Sequence, residues 1–247
     1  MKQLKILSVT VLLTGIVVAG LAYVMKQKQA SAAQPVLPRL GFTLASRQVL
    51  TGRELPEPVL RATQVRYQRV DGAFRQVTTY YREDGSRRNE DNVFGMPGLG
   101  VFQVDTKKGV LIFLSPMTEG RLGASGSFKP DARQEVVMGY KTYVLRFPEG
   151  ESQQYKEVYY APDLQSLPIK HVFVSNNLVE TLEPVSIDIG DPDEEVFKAI
   201  PKLPVSYDYF EFKIQEAESM NQYQAASEMR RQLQEARSSK PFGELMR

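Results

Sequence analysis

The chain has no cysteine, no tryptophan and a single histidine, His171, among its 247 residues. The missing thiol removes disulfides, thiolate metal sites, thiol nucleophiles and lipid attachment through an N-terminal cysteine. A domain large enough to build a real core does without disulfides, so their absence leaves an exported location open. One histidine without cysteine does not make a zinc or copper site of ordinary type. An excess of one charge is also missing. The net charge is +2, and acidic and basic residues alternate without long blocks. A dedicated nucleic-acid binder needs a clustered basic face to displace counterions, so that class is excluded.

Charge is absent for a different reason near the start. After Lys2 and Lys5, the stretch Ile6–Val24 runs uncharged and mostly apolar. Those roughly 19 residues would span roughly 28 Å as a helix, close to the hydrocarbon thickness of a bilayer. Two readings stay open. One is a cleaved signal peptide, with Ala30-Ser31-Ala32 as the cleavage site. The other is an uncleaved anchor, favoured because the apolar run exceeds a usual signal core and Lys26 and Lys28 precede the candidate site. Residues 1–24 are therefore an anchor or signal peptide, and residues 6–24 are the expected contact with the membrane.

Residues 25–60 contain Pro35, Pro38, Pro56 and Pro58 and read as a linker, with a short helix over Thr43–Leu50 as an option. From Arg61 the pattern turns to strands. Asp71-Gly72 separates Ala62–Val70 from Phe74–Arg82, and Asp84-Gly85 follows; both dipeptides suit hairpin turns because glycine accepts positive φ. Leu99–Val104, Val110–Leu114, Glu135–Met138, Tyr143–Phe147, Tyr155–Tyr160, Ile169–Val174 and Leu178–Ile189 continue the series. Val110–Leu114 is nearly all apolar, which predicts a central strand buried on both faces. Connections are too short for parallel crossovers, so residues 61–204 read as a strongly curved or partly closed antiparallel meander. The fold class is mainly β with helices (α+β).

Asp191-Pro192-Asp193-Glu194-Glu195 predicts a short helix through Ile200, with Asp191 as N-cap and Pro192 at N1. Residues 205–247 hold a longer helix. Phe210, Ile214, Ala217, Met220, Tyr223, Ala226, Met229, Leu233 and Ala236 recur at spacings of three and four. Such a stripe docks on the sheet over its first turns, or binds a protein partner through residues 210–236.

Catalytic machinery is not visible. A serine hydrolase needs a base beside its nucleophile, and His171 lies within a strand as a packed or sheet-surface histidine. Gly95–Gly100 matches neither a phosphate loop nor a dinucleotide fingerprint and reads as a loop between strands. Gly120–Gly126 reads as a flexible connection. No cofactor is implied.

Three segments carry a family resemblance. Val158-Tyr159-Tyr160-Ala161-Pro162-Asp163-Leu164-Gln165-Ser166-Leu167-Pro168-Ile169-Lys170 resembles the strand–turn–strand of the lipoprotein-carrier superfamily (LolA/LolB-like, outer-membrane lipoprotein-sorting proteins). Val137–Tyr143 resembles the preceding hairpin, and Gly190–Phe197 the segment after the last strand. The resemblance covers about residues 60–201 and implies an unclosed antiparallel barrel wrapped on a helix, with an apolar concave face that accepts acyl chains. The departures are the absent lipidation cysteine, the apolar N-terminal segment and the added C-terminal helix. The expectation is a non-enzymatic cell-envelope protein binding an apolar ligand, a lipid or lipoprotein acyl chain. Its domain lies outside the cytoplasm, membrane-anchored, or in the periplasm if cleaved near Ala32. Cavity candidates are Tyr67, Tyr80, Phe102, Leu111, Phe113 and Tyr143. The alternative is a membrane-tethered scaffold that uses the C-terminal helix.

Overall fold

The computed structural model describes residues 40–52, 55, 57–117, 132–148, 154–175, 177–198 and 200–238. The chain divides into Met1–Pro38 and Arg39–Arg247, and every described element belongs to the second unit. The anchor or signal reading of residues 1–24 and the glycine segment 120–126 fall outside the described residues. Among those described, no helix is long and apolar enough to cross a membrane.

Twelve strands build one sheet. The first six are β1 (Phe42–Gly52), β2 (Val59–Gln68), β3 (Phe74–Tyr81), β4 (Arg87–Met96), β5 (Gly100–Asp105) and β6 (Val110–Ser115). The rest are β7 (Gln134–Val137), β8 (Tyr140–Pro148), β9 (Tyr155–Ala161), β10 (Leu167–Ser175), β11 (Leu178–Ile189) and β12 (Val205–Ser206). Their order is β12-β6-β5-β4-β3-β2-β1-β11-β10-β9-β8-β7, so two meanders meet along the β1–β11 seam. All pairings are antiparallel except β12 with β6. The sheet is unclosed, because β12 and β7 end it without pairing to each other.

The segment read as linker or short helix is β1. Phe42, Leu44 and Ser46 are buried on one face while Arg47 is exposed, a period of two that no helix satisfies. Its partners β2 and β11 satisfy both edges, so extended backbone wins over a lone helical turn. The β region thus begins near Phe42, well before residue 61. Sequence reading also passed over β4, whose first residues Arg87–Glu90 are exposed and charged and lack any apolar alternation. Val110–Leu114 is not central: only the two-residue β12 lies beyond β6, and its burial alternates strictly.

Hairpin turns lie where glycine predicts them. Gly72 and Gly85 have φ of 94° and 78°. Their N–H groups donate to Arg69 O and Arg82 O, each at 3.0 Å.

Three α-helices follow: α1 (Glu195–Lys198), α2 (Asp208–Ser219) and α3 (Tyr223–Ser238). The first is capped by Asp193, whose Oδ1 accepts the Glu195 N–H at 3.0 Å. Asp191 is not the cap. Its Oδ1 accepts the Val70 N–H at 2.9 Å and ties the β2–β3 turn to the end of β11. The long C-terminal helix is two helices. Asn221 adopts φ 59°, and the Gln222 N–H reaches back to Ala217 O at 2.9 Å, a left-handed C-terminal cap. Ion pairs Glu211–Arg237 and Glu218–Arg230 then fix α2 and α3 as an antiparallel hairpin.

The main core forms between this hairpin and one sheet face. Phe94, Phe102, Leu111 and Phe113 pack with Phe197, Phe210, Ile214, Ala226 and Leu233. Phe113 is the hub. Its ring lies 5.6 Å from Phe102, 5.2 Å from Phe210 and 5.2 Å from Tyr207, in tilted or edge-on contacts. Phe113→Ala should cost about 3–5 kcal/mol, as for large cavities in packed cores. Phe212→Ala, at a position 57% exposed, should stay within about 0.5 kcal/mol. Urea denaturation of both variants checks the contrast.

Candidate functional site

Residues paired across an antiparallel ladder point to the same side of the sheet. One row therefore runs Leu145, Val158, His171, Leu182, Gln48, Ala62, Tyr80, Asn89 from β8 to β4. A second holds Phe147, Lys156, Phe173, Glu180 and Leu50. Further rows hold Ser46, Gln64, Thr78 and Asp91, then Leu44, Arg66, Gln76 and Val93. This is the face opposite the helix-covered core. None of α1, α2 or α3 contributes to it, since the apolar side chains they bury join the cluster around Phe113.

Two chemistries divide this face. Leu145, Phe147, Phe173 and Leu182 are apolar side chains over β8–β11 that each keep part of their surface accessible, with Lys156, His171 and Glu180 interspersed among them. Toward β2–β4 the lining is polar: Gln64, Arg66, Gln68, Gln76, Thr78, Tyr80 and Asp91. Gln68 and Thr78 are buried. A smaller apolar cluster of Phe42, Leu44, Leu164, Leu167 and Ile169 closes one end, beneath the 3-10 turn Pro162–Leu164.

Partial accessibility combines here with strong loss of hydration. Arg66 retains some accessible surface. Burial nevertheless pulls its pKa down to about 10. His171 is likewise partly accessible, while burial, reinforced by Lys156, depresses its pKa to about 3. Its Nδ1 is buried without a hydrogen-bond partner among the described residues. Burial also raises Tyr80, Asp91 and Glu180.

The six cavity candidates do not share a location. Phe102, Leu111 and Phe113 are buried in the core that α2 and α3 fill, and Tyr67 packs against it. Only Tyr80 and Tyr143 lie on the opposite face, Tyr80 beside Asp91 and Tyr143 paired with Tyr160. The residues that sequence reasoning passed over are Arg66, Leu145, Phe173 and Leu182. A signal existed for the first: Gln64, Arg66 and Gln68 alternate with Val65 and Tyr67, so β2 carries a polar side and an apolar side.

A separate ion cluster stands on the helix side of β8 and β9. Glu157 accepts hydrogen bonds from Arg133 at 2.9 Å and Arg146 at 2.7 Å, with Tyr159 OH at 3.3 Å. Burial would raise the Glu157 carboxyl, but the guanidinium hydrogen bonds outweigh it and hold the group below its usual value. The cluster is self-satisfied and reads as a structural clasp.

A scan against known protein families finds no match, and no curated protein matches the chain. Solved structures do. The chain is similar to a LolA superfamily protein from Nitrosomonas europaea, at 11% identity and a TM-score of 0.31, over 65% of this chain and 91% of that one. It is similar to a putative outer membrane lipoprotein-sorting protein domain from Vibrio parahaemolyticus, at 13% identity and a TM-score of 0.24, over 64% and 89%. It is also similar to PNGF-II, at 12% identity and a TM-score of 0.39, over 68% of this chain and 31% of that one. The unclosed, almost wholly antiparallel sheet is established by the strand pairing itself.

His171, the only histidine, gives one clean NMR probe. Its folded pKa lies below the unfolded value, so its contribution to stability is complete above pH 6.5 and is lost progressively toward the folded value of about 3. Its ring resonances should not titrate between pH 8 and 5. For the clasp, Glu157→Gln should destabilise by about 2 kcal/mol. Because the folded carboxyl titrates below its unfolded value of 4.5, that cost should shrink as pH falls below 4.5. Chemical denaturation at pH 7 and at pH 3 checks this.

Proposed function

We propose that this chain is a non-enzymatic cell-envelope protein that holds an apolar ligand, a lipid or lipoprotein acyl chain, on the open face of its half-barrel. The observation that carries the reading is the stretch Leu145, Phe147, Phe173 and Leu182, apolar and partly accessible on the face that the α-helices leave uncovered. Covering apolar surface gains roughly 25 cal/mol per Å², so an acyl chain laid across four such side chains is held by hydrophobic transfer alone. The fold class, an unclosed antiparallel sheet, supports this reading through the carrier resemblance. In this reading residues 6–24 direct the chain to or across the membrane, and the sheet lies outside the cytoplasm.

The proposed ligand site differs from the one expected on sequence grounds. Phe102, Leu111 and Phe113 are spent on the chain's own helices, which leaves Tyr80 and Tyr143 as the surviving members of the original six. The scaffold alternative loses surface for the same reason. Phe210, Ile214, Ala217, Ala226 and Leu233 are buried within the chain, leaving Phe212, Met220 and Tyr223 as the exposed large apolar side chains of the hairpin.

The test is saturable binding of a fluorescent long-chain fatty acid to the full-length chain, followed by fluorescence. Phe173→Asp should weaken binding at least about tenfold, since it places a charge against the chain and removes apolar contact. Phe212→Asp should leave binding unchanged. Absence of saturable binding, or equal loss in both variants, removes the ligand reading.

A further inference from the structure

Arg66 is a half-buried cation on the sheet face opposite the α-helices, with no carboxylate paired to it among the described residues. Its guanidinium stacks 4.3 Å above the Phe74 ring. Two of its nitrogens donate to neutral amide oxygens, Gln76 Oε1 at 3.5 Å and Gln68 Oε1 at 3.3 Å, both long. A guanidinium carries five N–H donors in a rigid fork suited to an oxyanion. Among the described residues no carboxylate forms an ion pair with it. The acids on the same face are engaged elsewhere: Asp91 with Tyr80 and Asn89, Glu180 with Gln48, and Asp105 with the backbone N–H groups of Lys107 and Lys108. The surrounding row supplies further neutral polar groups, with Gln64 donating to Thr78 at 3.3 Å. Holding a charge in a poorly hydrated place without an opposite charge is costly, and proteins ordinarily pair such a group.

We infer that Arg66, with Gln68, Gln76 and the Phe74 ring beneath it, receives the oxyanion headgroup of an amphiphilic ligand whose chain lies along Leu145, Phe173 and Leu182. The inference rests on the reading of this face as the ligand site and adds a charge preference to it. Geometry supports it. Arg66 on β2 and Phe173 on β10 are three strand spacings apart and about six residues apart along the strands, roughly 25 Å on the flattened sheet. One leaflet's share of a bilayer, headgroup included, is roughly 20 Å. Leu182 is nearer, two strand spacings and four residues from Arg66, roughly 16 Å, so a single lipid molecule reaches from the cation into the apolar residues. The anion also explains why β2 spends three alternate positions, Gln64, Arg66 and Gln68, on polar side chains in the middle of a sheet.

Full-length chain is titrated with dodecyl phosphate, with the neutral monododecyl glycerol, and with inorganic phosphate, each below its aggregation concentration. Dodecyl phosphate should bind at least about tenfold more tightly than the neutral amphiphile, the gain from charge-assisted hydrogen bonds. Inorganic phosphate should bind far more weakly than dodecyl phosphate. Arg66→Gln should erase the preference, bringing dodecyl phosphate's affinity down to that of the neutral amphiphile. Arg66→Lys, which keeps charge but loses the fork, should retain part of it, and the wild-type comparison stands even if a variant fails to fold. Equal affinity for the two amphiphiles overturns the headgroup assignment and leaves the apolar-ligand reading intact. Inorganic phosphate binding as tightly as dodecyl phosphate overturns it in favour of free phosphate. Failure of both amphiphiles to bind overturns the assignment together with the reading beneath it.

Discussion

The pairing of β1 with β11 holds the architecture together. Eleven residues of β1, Phe42–Gly52, find partners on β11, and the other edge of β1 is taken by β2. Without that strand the β2–β6 meander and the β7–β11 meander have no common ladder. The register shift between Ala45 and Ser46 marks a bulge at the seam, and bulges bend a strand and increase its twist. Local geometry supports the junction. Gly190 donates to Gly41 O at 2.9 Å, and a side chain on Gly41 would strike Asp191, which already holds the β2–β3 turn.

Once the sheet exists, its two faces are treated differently. The β3–β6 half buries its aromatic side against the α2–α3 hairpin, and Phe113 joins sheet and helix rings into one cluster. That face is sealed by the chain's own side chains. The opposite face lacks such a partner among the α-helices and carries both the accessible apolar residues and the poorly hydrated cation. At Gly95 the distinction reaches single atoms: a Cβ there would collide with the Phe74 ring and Met117, so glycine lets the ring lie flat under Arg66. Helix packing supplies stability on one side, and the proposed ligand site lies on the other.

Much of this was legible beforehand. Turn chemistry marked the hairpins at Gly72 and Gly85, and the run read over Leu178–Ile189 coincides with β11. β1 was hidden because its neighbours in sequence are proline-rich and its partner β11 is more than a hundred residues away, so only tertiary pairing reveals it. The break at Asn221 was hidden by a stripe that continues through Met220 and Tyr223, which are 59% and 62% exposed. The site was the least legible part. Phe102 and Phe173 look alike in sequence, both aromatic and mid-strand, and only register plus the position of α2 assigns one to the core and the other to the open face.

The account stands or falls on one sealed face and one open face, and the absence of native cysteine makes that directly measurable. Single-cysteine variants Leu111→Cys and Phe173→Cys are exposed to a maleimide in the native state, with and without a long-chain fatty acid. The expected result is that Cys at 173 labels readily and is protected by the fatty acid, while Cys at 111 labels only on unfolding. Rapid native labelling at 111, or labelling at 173 that the fatty acid leaves unchanged, would contradict it.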